Sequence, residues 1–328
     1  MVYLVFFLSA LVVVAAATRL AHYGDTIAVR ARLGGMFIGT LLLAGATSLP
    51  ELLSAINALS MGVPDLAAGS MFGSGMFNMF MLALLDLVYQ QARVLRRVVT
   101  THALTASLAN LLTGLAVLFV LANIDLSIGW VGLDSLLIIA LYAGGVRLLQ
   151  RGSSSEPRPE TVPETAGIPS LSRALLGFGV ATLVLVLITP TMVQSANQIA
   201  ELTGIGAGFI GATLIAIATS LPELVATIAA VRFGAFDLAV GNLFGSNIFN
   251  MFALGLTDFF YTPGRFLGVI DPSFAIAGLL VMTLTSLGLI GNLARVERRI
   301  LFVELDALLI LIGYALGMYL LFIRGIGT

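Results

Sequence analysis

Two apolar stretches of this chain each contain a single glutamate, and they are separated by a constant offset of 172 residues. Residues 39–58 read GTLLLAGATSLPELLSAINA, and residues 211–230 read GATLIAIATSLPELVATIAA. Each is long enough to cross a membrane as a helix, yet each carries one carboxylate, Glu51 or Glu223. A charge at the centre of a spanning helix costs about 2.5–3.5 kcal/mol even on insertion scales. We therefore expect both glutamates to have a function inside the membrane.

The duplication extends along the whole chain. A shorter motif follows each glutamate, GSMFGSGMFNMF at 69–80 and GNLFGSNIFNMF at 241–252. Further on, LDSLLIIALYAGG at 133–145 matches LDALLILIGYALG at 305–317 with the same offset. The sequence therefore predicts two structural repeats.

Composition places these repeats in a membrane. Hydrophobic residues make up 59% of the chain and charged residues 10%, whereas soluble domains carry about 25% charged residues. The N-terminal apolar run has no positive charge ahead of it, so we interpret it as a retained span and not as a signal peptide. The sequence predicts ten spans, at about 2–21, 34–61, 66–89, 102–122, 128–148, 173–195, 205–231, 238–260, 273–292 and 300–323.

The predicted fold is an all-α polytopic membrane protein with ten transmembrane helices in two inverted five-helix repeats. Residues 1–150 form the first repeat, 151–170 a Pro- and Ser-containing linker, and 171–328 the second repeat. Because five spans is an odd number, the second repeat enters the membrane from the opposite side, as in many secondary transporters. We expect helices 2, 3, 7 and 8 to be broken and to form a central site. Spans one and six are expected to move, since each precedes a glutamate motif.

The arginines predict the orientation. All sixteen basic residues are Arg. With the N-terminus outside, fourteen lie in inside loops, and only Arg265 and Arg324 lie outside. This positive-inside bias places both termini on the extracellular or periplasmic side of the cell membrane and the linker in the cytoplasm. Because the linker has only about 20 residues, we expect no cytoplasmic regulatory domain.

Several classes of function are disfavoured by residue usage. The net charge of −1 offers no electrostatic case for nucleic acid. The absence of cysteine excludes thiolate metal sites, and His22 and His102 are far apart in sequence. We find no Ser/His or Asp/Asp pair in a catalytic motif. The chain is therefore not expected to be an enzyme, and no cofactor is expected.

Oxygen-bearing side chains gather around the glutamates at helical spacing. Proline in a helix frees the carbonyl four residues earlier, which predicts free carbonyls at Ala46 and Ala218. Residues four apart share one helix face, so four such pairs are predicted to converge: Thr47/Glu51, Thr219/Glu223, Ser74/Asn78 and Ser246/Asn250. The pairs Gly69/Gly73 and Gly241/Gly245 have the spacing that permits close helix contact.

This set contains carboxylates, hydroxyls, amides and carbonyls, and it lacks nitrogen and sulfur ligands. Hard cations such as Ca²⁺ and Na⁺ prefer oxygen, whereas zinc and copper do not. Two glutamates would neutralise one Ca²⁺ or two Na⁺, and such competition would be the basis of exchange. The less distinctive acids are interpreted structurally, Asp65 and Asp237 as N-caps and Asp86, Asp134, Asp258 and Asp306 as helix-end residues.

The motifs GATSLPEL and IATSLPEL, each followed by GS-x-x-x-N, resemble the two alpha repeats of the sodium/calcium exchangers, in the cation/calcium exchanger superfamily. The resemblance covers both halves and is closest to prokaryotic-type members that lack a regulatory domain. It implies that Glu51 and Glu223 are shared carboxylates of a central site and that Asn78 and Asn250 flank it. It implies further ligands from hydroxyls and backbone carbonyls, at Thr47, Thr219, Ser74, Ser246, Ala44 and Ala216. We add Ser48 and Ser220, which lie within the same motif.

Two departures narrow the implied activity. Some family members carry Asp at the position of Asn250, which in some branches accompanies K⁺ co-transport. Its absence here makes K⁺ dependence less expected. The proton/calcium branch typically has Gly-Asn ahead of its glutamate, whereas this chain has Thr-Ser-Leu-Pro-Glu. We therefore expect a Na⁺/Ca²⁺ antiporter that works by alternating access, with the lipid bilayer and the two ions as its partners. An H⁺-coupled exchanger for Ca²⁺ or another divalent cation, a passive cation channel and an intramembrane scaffold remain alternatives.

Overall fold

Helices dominate the computed structural model, which describes residues 1–30, 43–89, 100–153, 169–232, 234–294, 299–300 and 303–327. Twelve α-helices are numbered in chain order within these residues. They are α1 Val2–Arg30, α2 Leu49–Ser60, α3 Pro64–Val88, α4 Thr100–Ala122, α5 Leu133–Ser153, α6 Leu171–Thr203, α7 Ala207–Ile210, α8 Ala216–Arg232, α9 Phe236–Thr257, α10 Phe266–Val269, α11 Phe274–Ala294 and α12 Leu305–Arg324. Some predicted features lie outside the described residues: the start of the second span, most of the linker, and Arg32, Arg93, Arg96, Arg97, Arg158, Arg295 and Arg298.

Two short antiparallel ribbons qualify the all-α prediction. Strand β1 (Ser127–Ile128) pairs with β2 (Val131–Gly132), and β3 (Arg299–Ile300) pairs with β4 (Val303–Glu304). Each ribbon leads directly into a helix, α5 or α12. Both strands of the second ribbon follow those of the first by 172 residues, so the duplication seen in the sequence also appears in the local structure.

Seven helical segments among the described residues are long and apolar enough to cross a membrane. They are Val2–Gly24, Pro64–Val88, His102–Ala122, Leu171–Thr203, Ala207–Arg232, Phe274–Gly291 and Leu305–Arg324. Helices α2, α5 and α9 occupy the described parts of the other three predicted spans. Helix α5 also continues to Ser153, so residues 151–153 of the predicted linker are helical.

Helices α2, α3, α8 and α9 form the centre, where each contacts the other three. Glycine allows α3 to approach the second repeat at backbone distance. A Cβ on Gly73 would lie 2.4 Å from Ala212 Cα, and one on Gly69 would lie 2.1 Å from Gly208 O. The predicted close contact at Gly69 and Gly73 is therefore confirmed, whereas that at Gly241 and Gly245 stays a prediction.

Two long helices pack together beside this centre. Helix α1 has 29 residues and α6 has 33, which correspond to about 44 and 50 Å of helix at 1.5 Å per residue. Both exceed the roughly 30 Å of bilayer hydrocarbon, so they must tilt or project beyond it. Helix α1 packs along α6 and against α8 of the second repeat, while α6 contacts α2 of the first repeat. The pair therefore contacts the central helices of both repeats.

Two acidic side chains near the end of α9 bind an arginine or backbone N–H groups. Asp134 pairs with Arg265 at 2.8 Å, with side chains only 3% and 6% exposed. Asp258 accepts hydrogen bonds from the backbone N–H groups of Gly132 and Phe266. These contacts join the β1–β2 ribbon to the end of α9, which confirms the structural interpretation of both acids.

The N-cap prediction for Asp65 and Asp237 is wrong. Helix α3 begins after Val63 and α9 begins after Ala235. Both acids are therefore the second residue of their helix and not the N-cap. Asp65 accepts a hydrogen bond of 2.9 Å from the backbone N–H of Asp271. Asp65 therefore connects the start of α3 to the loop before α11.

A cluster of carboxylates lies where α3 ends and α12 begins. One carboxylate oxygen from each of Asp86, Glu304 and Asp306 lies within 4.8 Å of the other two. Asp306 also accepts the backbone N–H of Ala307. The position of Asp86 and Asp306 at helix ends agrees with their interpretation from the sequence.

Candidate cation site

The two glutamate motifs have different backbones. In the first, a helical segment at 43–47 ends at a turn on Ser48, and α2 starts at Leu49 with Pro50 in its first turn. In the second, a π-helical segment at Gly211–Ile215 leads into α8, and Pro222 lies inside that helix. π-helical turns occur often at functional sites. The equivalent of this turn in the first repeat lies mostly outside the described residues.

The prediction of four broken helices is therefore only partly right. The second predicted span is interrupted at Ser48, and the seventh predicted span contains a π-helical segment at 211–215. The prediction is wrong for the third and eighth spans. There α3 and α9 each run as one α-helix past their Ser and Asn residues. Continuous helices hold Ser74 and Asn78, or Ser246 and Asn250, one turn apart on one face.

Each glutamate accepts a hydrogen bond from the serine of the other repeat. Ser48 Oγ donates to Glu223 Oε1 at 2.8 Å, and Ser220 Oγ donates to Glu51 Oε1 at 3.0 Å. Both glutamates have no solvent exposure. The two motifs therefore form one buried site across the repeat interface.

The Glu51 side of this site has the denser hydrogen bonding. Ser74 Oγ lies 3.3 Å from Glu51 Oε1 and 2.7 Å from Ser220 Oγ, and it accepts an N–H from Asn250 at 3.1 Å. On the other side, Ser246 Oγ reaches Glu223 Oε1 only at 3.5 Å. The repeats are thus alike in sequence but not in their contacts.

Asn78 has a different partner from Asn250. Its amide nitrogen donates to Asn247 Oδ1 at 2.8 Å, and Asn247 in turn donates to the carbonyl of Gly75 at 3.3 Å. Both asparagines of the predicted site therefore donate an N–H to another side chain of the protein. Their side-chain carbonyl oxygens accept no hydrogen bond from the described residues.

Four oxygen atoms of the site accept no hydrogen bond from any described residue. They are Glu51 Oε2, Glu223 Oε2, Asn78 Oδ1 and Asn250 Oδ1, and all four belong to residues without solvent exposure. A buried acceptor without a partner costs about 1–3 kcal/mol, and more when charged. Two carboxylate and two amide oxygens form a donor set that suits a hard cation.

The threonines direct their protons at their own helix. Thr47 Oγ1 donates to the carbonyl oxygens of Leu43 and Ala44, at 3.0 and 3.2 Å. Thr219 Oγ1 donates in the same way to Ile215 and Ala216, at 3.0 and 3.4 Å. The lone pairs of both hydroxyls remain available to a cation. Ligand roles for these hydroxyls and for the Ala44 and Ala216 carbonyls stay predictions.

Asn247, Asn242 and Thr227 are buried polar residues near the site that were not among the predicted ligands. Asn247 lies between the repeats, and Asn242 donates to Thr227 Oγ1 at 3.1 Å and to the carbonyl of Glu223 at 3.4 Å. In the sequence, these three residues differ from the residues 172 positions earlier. The counterparts of Asn247, Asn242 and Thr227 are Gly75, Ser70 and Ala55. A search for polar residues at non-matching positions would have found them.

A helical bundle with spanning segments and a buried oxygen-lined site is typical of membrane proteins that handle hard cations. A family profile for sodium/calcium exchanger proteins matches residues 1–149 and 173–324, which is most of the chain. The chain therefore belongs to the sodium/calcium exchanger protein family. It is an integral membrane protein of an ion-transporting family and not an enzyme.

One relative matches most of the chain. The inner membrane protein YrbG of Escherichia coli (strain K12) is 31% identical over 293 residues, which are 84% of this chain and 84% of that protein. The length match means that the similarity extends well beyond the glutamate motifs.

Two solved structures share the fold. The sodium-calcium exchanger NCX_Mj aligns with a TM-score of 0.62 at 22% identity, covering 97% of this chain and 99% of that chain. The H⁺/Ca²⁺ exchanger CAX aligns with a TM-score of 0.66 at 17% identity, covering 98% and 88%. The fold is therefore common to exchangers whose names give different coupling ions.

Proposed function

We propose that this protein is a secondary antiporter that exchanges Na⁺ for Ca²⁺ by alternating access. The observation that carries the proposal is the pair of fully buried glutamates from opposite repeats, each with one oxygen that accepts no hydrogen bond from the described residues. Two carboxylates carry a charge of −2 when ionised. One Ca²⁺ or two Na⁺ balances that charge, so the two kinds of ion compete for the same oxygens.

Neutral oxygens complete the coordination. Ca²⁺ takes about 6–8 oxygen ligands, and the two glutamates with Asn78 and Asn250 offer the oxygens without other partners. Hydroxyls and carbonyls near these residues supply the rest, from Thr47, Thr219, Ser74, Ser246, Ser48, Ser220, Ala44 and Ala216. The resemblance to the sodium/calcium exchangers implies that Ser74 and Ser246 each line one flanking Na⁺ site.

The repeats are proposed to be inverted five-helix units, residues 1–150 and 171–328, with the ion site at their interface near the bilayer midplane. Both termini are external and the linker at 151–170 is cytoplasmic. The fourteen-to-two distribution of arginines supports this orientation. Helices α1 and α6 are the proposed moving pair, since they pack along each other and touch the central helices of both repeats.

Proton coupling is the second candidate. The fold is shared with an H⁺/Ca²⁺ exchanger, and two adjacent buried carboxylates can also carry protons. The Thr-Ser-Leu-Pro-Glu motif in both repeats and the family profile favour Na⁺.

A transport assay in sealed proteoliposomes tests the proposal. Vesicles loaded with Na⁺ and diluted into Na⁺-free buffer containing ⁴⁵Ca²⁺ should accumulate Ca²⁺, whereas vesicles with equal Na⁺ on both sides should not. Glu51→Gln and Glu223→Gln should each reduce uptake at least 100-fold, because each removes one of the two charges that balance Ca²⁺.

Glu201→Gln is the matched control, since Glu201 is exposed at the end of α6 and bonds only to Asn197 among the described residues. Its uptake should equal that of the wild type. If a pH gradient drives uptake and a Na⁺ gradient does not, proton coupling replaces the proposal. Flux that follows voltage without any counter-ion would indicate a channel.

A further inference from the structure

Asn247 reaches across the repeat interface to its own counterpart. Its amide nitrogen donates to the carbonyl of Gly75, which lies 172 residues earlier and occupies the same place in the first repeat. Asn247 is 1% exposed. The opposing position is a glycine and therefore has no Cβ. The nearest atoms to a Cβ on Gly75 would be the Val281 methyls at 3.2 Å and Asn247 Oδ1 at 3.9 Å.

The carbonyl of Gly75 determines how the Asn247 amide is turned. A backbone carbonyl can only accept, so the nitrogen of Asn247 must face it and Oδ1 must face away. That oxygen meets Asn78 at 2.8 Å. Because an amide oxygen also only accepts, Asn78 must present its nitrogen there. The Asn78 oxygen is thereby turned to the opposite side, where it accepts no hydrogen bond from the described residues.

We propose that Asn247 is a positioning residue, which holds Asn78 with its carbonyl oxygen directed at the transported cation and its N–H₂ group directed away. This inference rests on the proposed function and deepens it, since it assigns the orientation of one ligand to a residue outside the predicted ligand set. Without Asn247, the Asn78 amide can rotate and present N–H groups, whose positive dipole disfavours a cation.

Asparagine is the side chain that meets both requirements of position 247. It accepts from Asn78 and donates to Gly75 at once. Alanine provides neither bond. Aspartate keeps the acceptor for Asn78 but sets a charged oxygen against the Gly75 carbonyl. The second repeat needs no such residue, since Asn250 donates its N–H to Ser74.

A double-mutant cycle on Ca²⁺ affinity tests the inference. Purified wild-type protein, Asn78→Ala, Asn247→Ala and the double variant are compared by equilibrium ⁴⁵Ca²⁺ binding. Each single variant should raise the Kd about tenfold. The double variant should also be about tenfold weaker than the wild type, because Asn247 has nothing left to position once Asn78 is absent. In transport, the KM for Ca²⁺ should rise more than the maximal rate falls.

Asn110→Ala is the control, since Asn110 donates to Ser286 at 2.9 Å between α4 and α11, outside the hydrogen-bond network of the site. Its Kd should match that of the wild type. A hundredfold loss in the double variant, or an unchanged Kd in Asn247→Ala, would overturn the inference.

Asn247→Asp gives an independent reading should the alanine variant fail to fold. It should bind Ca²⁺ at least as tightly as the wild type, because the acceptor for Asn78 is kept and a negative charge is added. A loss of affinity as large as that of alanine would contradict the positioning role. Failure of the wild-type protein to bind Ca²⁺, or unchanged binding in Glu51→Gln, would instead overturn the proposed function and this inference with it.

Discussion

Ser48 donates a hydrogen bond of 2.8 Å to Glu223, a residue 175 positions further along the chain. Its counterpart Ser220 donates to Glu51 at 3.0 Å. Each carboxylate is therefore held by a hydroxyl from the opposite repeat. Relative movement of the two motifs would change both bonds together. The hydrogen bonding of each carboxylate therefore depends on how the two repeats are packed.

Ser48→Ala should destabilise the ion-free protein more than Ser220→Ala. The first change leaves Glu223 Oε1 with a hydroxyl at 3.5 Å, whereas the second leaves Glu51 Oε1 with one at 3.3 Å. A buried carboxylate that loses such a donor costs about 1.5–3 kcal/mol. Thermal unfolding in detergent without Ca²⁺ measures this, and saturating Ca²⁺ should recover part of the loss because the cation replaces the donor.

Ser54→Ala is the control for that series. Ser54 is buried one turn from Glu51 on α2, and its hydroxyl donates only to the carbonyl of Pro50 among the described residues. Its unfolding midpoint should depend on Ca²⁺ as in the wild type. Equal destabilisation by Ser48→Ala and Ser54→Ala would show that the bond across the repeats contributes nothing special.

Gly73→Ala should separate α3 from the second repeat. The added Cβ would lie 2.4 Å from Ala212 Cα and 2.5 Å from its carbonyl oxygen, and backbone atoms cannot move aside cheaply. Overpacking typically costs about 1–3 kcal/mol, occasionally more. Lower thermal stability together with a loss of ⁴⁵Ca²⁺ binding is expected.

Gly144→Ala provides the comparison for this glycine. Position 144 lies within α5, and a Cβ there would meet nothing within 4 Å. Replacing glycine by alanine inside a helix stabilises it by about 0.5–1 kcal/mol. A similar loss in both variants would mean that the space at Gly73 is not what limits substitution.

Asp134→Asn and Arg265→Met should each destabilise the protein by about 3–5 kcal/mol, since each leaves the other charge buried without its ion-pair partner. The double variant should be more stable than either single variant, because the desolvated charges disappear together. Arg324→Ala, an exposed arginine at the end of α12, should have little effect. Additive losses in the double variant would show that the pair does not act as a unit.

Cysteine labelling should report the proposed orientation without background, because the natural sequence contains no cysteine. Thr161→Cys in the linker should react with an impermeant maleimide only from the cytoplasmic side. Thr328→Cys should react only from the opposite side. Right-side-out and inverted vesicles give the two exposures, and labelling of both positions from one side would disprove the inverted arrangement.

Local sequence was sufficient to single out the two glutamates that the structure buries together. Glu51 and Glu223 stand out because charge is costly in an apolar span, and the offset of 172 residues pairs them. Helical spacing correctly put Ser74 with Asn78 on one face, and small residues at Gly69 and Gly73 correctly indicated close packing. These are properties of a single helix, so they can be read from one segment at a time.

Contacts between repeats were decided by the tertiary structure. The sequence alone could not show that Ser48 reaches Glu223, or that Asn78 pairs with Asn247 whereas Asn250 pairs with Ser74. Nearly identical motifs also differ in backbone at one pair of matching positions, since Ser48 forms a turn whereas Ser220 lies inside α8. Such features depend on how helices from distant parts of the chain are packed, and a period within one helix carries no information about that packing.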